Sequence, residues 1–163
     1  LSFCFLTAQA QRKVHFGAGV NYTLPIERYT AGETRFGVYL NGTYRLADRI
    51  DVGLTASLDE PSYVVHEPDG TSLCYDAHAL SFVANANYIF PLKTPKVLPF
   101  VGMGLGLSFD NIKDGVFSDG HKLHPIAVPM AGVRFFKHLD LTARYYITDK
   151  KFDRLTLSLG YTF

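Results

Sequence analysis

Apolar and polar residues alternate one by one through most of this chain, the period of an extended strand with one apolar and one polar face. From Arg12 onward the pattern divides into eight segments. In the first, Val14, Phe16, Ala18, Val20, Tyr22 and Leu24 alternate with His15, Gly17, Gly19, Asn21 and Thr23. In the second, Phe36, Val38, Leu40, Tyr44 and Leu46 oppose Arg35, Gly37, Tyr39, Asn41, Thr43 and Arg45. The third sets Ile50, Val52, Leu54, Ala56 and Leu58 against Asp51, Gly53, Thr55 and Ser57. The fourth sets Leu80, Phe82, Ala84, Ala86, Tyr88 and Phe90 against Ser81, Asn85 and Asn87, and the fifth sets Val101 to Phe109 against Gly102, Gly104, Gly106 and Ser108. The sixth, near 126–136, is the least regular: Pro125 and Pro129 cannot donate to a ladder, so a bulge or a late start is expected there. The seventh alternates Leu139, Leu141, Ala143, Tyr145 and Ile147 with Asp140, Thr142, Arg144 and Tyr146. The eighth alternates Leu155, Leu157, Leu159, Tyr161 and Phe163 with Arg154, Thr156, Ser158 and Gly160.

The segments run about 10 to 13 residues, the length a tilted strand needs to cross a bilayer and longer than an ordinary soluble strand. Connections alternate in length: short near 47–49, 91–95 and 137–138, long over 25–33, 59–76 and 110–122, with a short last one near 149–151. Short turns on one side and long loops on the other are the pattern of a membrane barrel. Asn41-Gly42 is a two-residue hairpin cue, overruled because a break there leaves pieces too short to span. The fold class expected is all-β: an eight-stranded antiparallel up-and-down transmembrane barrel, both ends on the short-turn side.

In such a barrel the Val, Leu, Phe and Tyr face meets lipid, with Tyr22, Tyr44, Tyr88, Tyr145, Tyr161 and Phe163 near segment ends, where amphipathic rings settle at headgroup depth. The opposite face points into an interior just wide enough for side chains. It carries Arg35, Arg45, Asp51, Asn85, Asn87, Arg134, Asp140, Arg144 and Arg154 as an expected polar network, a packed plug rather than an open pore. Unpaired buried charges are costly, so Asp51 and Asp140 should each touch an arginine. The lumenal glycines are expected to make room for bulky neighbours such as Tyr39 and Tyr146.

Composition adds limits. The 163 residues suffice for one domain, and a net charge of +1 implies no nucleic-acid or other polyanion partner. No run of roughly 18 apolar residues is present, so any span must be made of strands. Residues 1–10, a short apolar run with Ala8 and Ala10 in small-x-small spacing, read as the remnant of a secretory signal, leaving 11–163 as the barrel domain. A lipoprotein reading through Cys4 is weaker, since Phe3 stands where a small residue is needed; without Cys4, Cys74 is left single and gives no disulfide.

With these features the chain resembles the small eight-stranded outer-membrane barrels, the OmpA/OmpX-like group, over about 12–163. The residues that carry the likeness are 99–106 (PFVGMGLG), 131–135 (AGVRF), 141–146 (LTARYY) and the ending 155–163 (LTLSLGYTF). The resemblance implies the outer membrane of a Gram-negative bacterium, contact with its lipid and lipopolysaccharide, and a final strand (Leu155, Leu157, Leu159, Tyr161, Phe163) read by the outer-membrane assembly machinery. It implies no peptidoglycan-binding domain, and it does not choose among the roles such barrels serve.

Chemical signatures are sparse. Gly102-Met-Gly-Leu-Gly106 lacks the spacing and helix of a dinucleotide fingerprint. His121 and His124 have no clear partner ligand, and Asp110, Asp114 and Asp119 miss the spacing of a calcium loop. Acyl chemistry at an outer rim would draw on His78, His66, Ser62, Ser72, Glu67 and Asp76. No cofactor, metal or catalytic set is expected. Tyr63, Val64, Val65, Leu73 and Tyr75 in the 59–76 loop are candidates for contact with an extracellular ligand. The expected function is therefore non-catalytic, a monomeric outer-membrane barrel serving envelope integrity or surface interaction. A narrow pore, a lipid A-modifying enzyme and a soluble lipocalin-like carrier are the alternatives.

Overall fold

The computed structural model describes residues 14–26, 35–60, 62–66, 72–92, 96–113, 120–148 and 153–163. Their strands are β1 (Val14–Pro25), β2 (Arg35–Ala47), β3 (Ile50–Asp59), β4 (Ser62–His66), β5 (Ser72–Ile89), β6 (Val97–Lys113), β7 (Gly120–Phe135), β8 (Leu139–Tyr146) and β9 (Arg154–Thr162). All neighbours pair antiparallel, and the ring closes because β1 pairs with β9 and β3 with β5. Eight strands make the wall, as the alternation requires. The short turns and the outset of β1 lie at one rim, and the longer connections lie at the other.

β4 is a ninth strand but not a ninth stave. The pairs Asp59↔Ala79 and Ser62↔Asp76 hold one register, so β4 continues β3 past Pro61 along the same partner. Within 59–76, expected as a loop, 62–66 and 72–76 are thus paired strands that extend beyond the wall. Their backbone sets Tyr63 opposite Tyr75, Val64 opposite Cys74 and Val65 opposite Leu73. The 110–122 loop contracts likewise, because β6 and β7 pair out to Ile112↔Gly120. The hairpin cue at Asn41-Gly42 is overridden: both residues sit inside β2, opposite Gly17 and Phe16.

The expected bulge or late start at Pro125 and Pro129 is corrected. β7 begins at Gly120 and keeps one register against β6 from Gly120 to Phe135, through Leu107↔Pro125 and Met103↔Pro129. Ala127 exchanges both backbone hydrogen bonds with Ile147 next to β8, at 3.1 and 2.9 Å. Alternation turns the nitrogens of Pro125 and Pro129 to that same side. The missing donors therefore spare the β6 ladder, and the β7–β8 ladder is continuous only from Met130↔Arg144 to Phe135↔Leu139.

Burial is inverted relative to a soluble protein. Phe36 (73% exposed), Leu54 (69%) and Leu105 (66%) point outward, whereas Asn21, Thr23, Asp51, Asp59, Arg154 and Thr156 are at most 1% exposed. The interior is not wholly polar, however. Val83, Ile126, Val128, Met130 and Tyr146 form a buried apolar cluster, and Ile89 and Phe100 are buried as well. The uniformly polar lumen expected from sequence gives way to one with an apolar side built on β5 and β7.

The β7–β8 turn holds Phe136 and Lys137 at φ 52° and 68°, with His138 N–H donating to Phe135 O at 3.0 Å. Two consecutive positive φ values make a hairpin turn whose twist suits the strands but which disfavours residues with a Cβ. Lys137→Gly should raise stability by about 1 kcal/mol, seen as a higher urea midpoint by far-UV circular dichroism; an unchanged or lower midpoint would show that the turn is unstrained.

Candidate functional site: the closed lumen

Two charged groups fill the interior. Near the short-turn rim, Asp51 on β3 receives Arg45 Nε at 2.5 Å and Arg134 Nη1 at 3.5 Å. Arg134 Nε also donates to Asp140 Oδ1 at 2.7 Å, and the other Asp140 oxygen accepts Thr162 Oγ1 at 2.6 Å. The Arg134 guanidinium on β7 thus joins β3 to β8, and the Asp140 carboxylate joins β8 to β9. Asp51 and Asp140 each touch an arginine.

The second group lies nearer the long-loop rim. Arg144 Nη1 donates to Ser158 Oγ at 2.5 Å, Ser158 to Asn21 Oδ1 at 2.7 Å, and Asn21 Nδ2 to Asp59 Oδ1 at 2.8 Å. Asp59 also accepts Ser57 Oγ at 3.2 Å and faces Arg154 Nη2 at 3.9 Å. Arg154 donates to Ser81 Oγ at 2.8 Å and lies over the Tyr146 ring at 4.4 Å. Arg144 lies over the Tyr39 ring at 4.6 Å. Aromatic faces and hydroxyls thus supplement the few carboxylates.

Asn85 accepts a bond from Thr55 Oγ1 at 3.3 Å. Asn87 sits beside it on the lumenal face, against Gly102. The side chain of Arg35 is outside the described residues. Sequence reasoning missed Asp59, placing it at the mouth of a loop although it is fully buried. The signal was available: Asp59 continues the series Asp51, Gly53, Thr55, Ser57 on the inward face of β3. Two small cavities, of about 10 and 20 Å³, remain among these groups, each about enough for one water.

Glycines fit the wall around the large interior side chains. Tyr39 rests on Gly19 and Gly160, such that an added Cβ would fall 2.6 Å from Tyr39 Cε1 or 2.0 Å from Tyr39 Oη. Outside, His138 stacks on Tyr161 at 5.4 Å while its Nδ1 lies 2.9 Å from Thr162 O, tying the β7–β8 turn to β9. Of that strand's outward face, Leu157, Leu159, Tyr161 and Phe163 are exposed and Leu155 is half-buried.

The candidate reactive residues do not converge where they are described. His78 Nδ1 is 3.2 Å from Glu60 Oε1 near the long-loop rim. Ser62 is opposite Asp76 and His66 opposite Ser72 in backbone register; Glu67 and the side chains of these four lie outside the described residues. His121 and His124 are on β7, opposite Asn111 and Ser108, rather than in a loop. Asp110 is on β6, while Asp114 and Asp119 lie outside the described residues. Among the described residues no group of three His, Cys, Asp or Glu is arranged to hold a metal. The signal remnant 1–10 also lies outside them.

No protein-family model matches the sequence, and no curated protein is significantly similar to it. Solved structures do share its architecture. Neisserial surface protein A superposes with a TM-score of 0.64 at 17% identity, covering 91% of this chain and 95% of that one. OprG from Pseudomonas aeruginosa gives 0.62 at 14% identity, covering 93% and 95%. Ail, the attachment invasion locus protein of Yersinia pestis, solved with the heparin analogue sucrose octasulfate, gives 0.55 at 16% identity, covering 93% and 97%. The closed ring of eight antiparallel strands, apolar outside and charge-filled within, is the fold of the small eight-stranded outer-membrane β-barrels.

Proposed function

We propose that the protein is an integral outer-membrane barrel of a Gram-negative bacterium that serves envelope integrity or surface interaction, without catalysis and without conducting solutes. The observation that carries this reading is the pairing of an apolar outer belt with a lumen crossed by Arg45–Asp51–Arg134–Asp140 and blocked by Arg144, Arg154 and Tyr146. A belt of exposed Leu, Phe and Val is stable only in hydrocarbon, and paired interior charges tolerate the low dielectric that results. The short-turn rim is assigned to the periplasm and the long-loop rim, with the β4–β5 hairpin, to the cell surface, where Tyr63, Val64, Val65, Leu73 and Tyr75 stay candidates for ligand contact. The outward face of β9 is the segment assigned to the assembly machinery, and the barrel is assigned as a monomer in contact with lipid and lipopolysaccharide. Ail was solved with a polysulfated ligand. A ligand of that kind is not favoured by charge: the sequence segments 25–35, 59–76, 110–122 and 144–154 carry twelve acidic against eight basic residues.

The test is reconstitution. Expressed behind a secretory signal, the protein should fractionate with outer membranes and shift in gel mobility on boiling. In planar bilayers, the folded barrel should show no conductance steps above the bare membrane. Steps of a defined size would replace the plug with the narrow pore, and recovery as a soluble protein would revive the carrier.

A further inference from the structure

The turns of the short-turn rim carry Arg49 between β2 and β3, Lys96 before β6 and Lys137 between β7 and β8. All three are exposed, and none has an ion-pair partner among the described residues. Backbone hydrogen bonds fasten these turns to their neighbours: Ile89 N–H donates to Arg49 O at 2.8 Å, and Phe136 N–H donates to Lys96 O at 2.8 Å. The three cations therefore form one arc rather than isolated charges. Opposite charge is nearly absent there. Asp51 and Asp140 turn inward onto Arg45 and Arg134, which leaves Asp48 as the exposed carboxylate among the described residues of this rim. The sequence adds Lys93 between β5 and β6 and Lys13 just ahead of β1.

The same rim fixes the depth of these charges. Tyr44, Tyr88, Phe90, Phe136, Tyr161 and Phe163 are exposed at the strand ends beneath it. Tyr88 and Phe90 contact each other edge to face with centroids 5.2 Å apart, as do Tyr161 and Phe163 at 5.3 Å. Such rings settle at the boundary between hydrocarbon and headgroups. Lys and Arg stems just beyond that boundary reach the phosphate layer while their methylenes stay on apolar surface.

We propose that Arg49, Lys96 and Lys137 form a binding arc for the phosphodiester headgroups of acidic phospholipids in the leaflet the short-turn rim faces. This rests on the membrane-spanning reading above. The arc gives the barrel a lipid preference in one leaflet.

The experiment uses the full folded chain in vesicles of phosphatidylcholine with phosphatidylglycerol, with co-purifying lipid counted by mass spectrometry after mild extraction. Heat-dependent mobility, read first, reports insertion. Phosphatidylglycerol should be enriched over its vesicle fraction, and the enrichment should fall as salt rises. The triple variant Arg49→Gln/Lys96→Gln/Lys137→Gln should insert normally and lose roughly five-fold in relative preference per charge removed. Its charge-matched control at the other end, Lys113→Gln/Lys122→Gln/Lys150→Gln, should keep the preference. An inserted triple variant with unchanged enrichment, or a control that loses it equally, overturns the arc. Millimolar inorganic phosphate that abolishes enrichment overturns the lipid as its ligand in favour of a free-anion site. Absence of the mobility shift in the parent protein defeats the membrane-spanning reading itself, and this inference with it.

Discussion

Replacing Arg134 by methionine should destabilise the folded barrel by about 3–5 kcal/mol, the cost of removing one partner from a buried ion pair. Its guanidinium stands between Asp51 and Asp140 with only 11% of the side chain exposed. Asp51 would keep Arg45, but Asp140 would retain Thr162 alone. The loss therefore falls mainly on Asp140. Arg134→Met/Asp140→Asn, which removes the stranded charge as well, should recover a substantial part of it. The chain has no Trp, so unfolding is best followed by far-UV circular dichroism or by the fraction of heat-shifted band against urea. A loss under about 1 kcal/mol for Arg134→Met would place the pair in the range of solvent-screened surface bridges, and the lumen would then be wet at that level. The same variant should leave conductance low, because Arg144, Arg154 and Tyr146 block the barrel farther along.

The wall was legible because its two faces meet unlike media, so one-residue alternation records which way each side chain points. That signal ends where the media stop differing. In β4 and the outset of β5 the strands run beyond the wall, and Tyr63, Val64 and Val65 follow one another without alternating. Pro61, Glu67, Pro68 and Asp69-Gly70 then make the whole stretch read as loop, although 62–66 and 72–76 carry the ladder of β3 onward. The prolines of β7 misled for a different reason. A proline interrupts only the ladder its nitrogen faces, and sequence does not say that Pro125 and Pro129 face β8 rather than β6. The irregularity of that segment had another source: Ile126, Val128 and Met130 point into the lumen while Pro125, Ala127 and Pro129 point out, so both faces are apolar and no contrast remains. Val83, apolar within the inward series Ser81, Asn85 and Asn87, was the visible trace of that apolar side. For the interior charges whose side chains are described, which excludes Arg35, sequence placed the groups on the inward face but could not pair them, because pairing joins strands as distant along the chain as Asp51 and Arg134.

The glycines around Tyr39 lead to the second large effect, and they should not behave alike. A Cβ on Gly160 would overlap the far end of a side chain, 2.0 Å from Tyr39 Oη and 2.8 Å from Tyr39 Cζ, with Ala18 O at 3.0 Å. A Cβ on Gly19 would overlap backbone, 2.3 Å from Leu159 O and 2.6 Å from Gly160 Cα. Overpacking a filled interior costs about 1–3 kcal/mol where neighbours can shift, and a backbone neighbour yields less than a ring tip. Gly160→Ala should therefore cost about 2 kcal/mol, and Tyr39→Leu should be less harmful in that background than alone. Gly19→Ala should cost at least as much and gain less relief, since shortening Tyr39 removes the contact with its Cε1 at 2.6 Å but leaves the β9 backbone in place. The coupling between positions 39 and 160, and its smaller value between 39 and 19, is read from double-mutant cycles on urea midpoints. Equal coupling at both sites would mean that the β1–β9 seam relaxes as a unit. Tyr39 would then be filling space that the two strands can reshape, rather than resting in a mould set by Gly19 and Gly160.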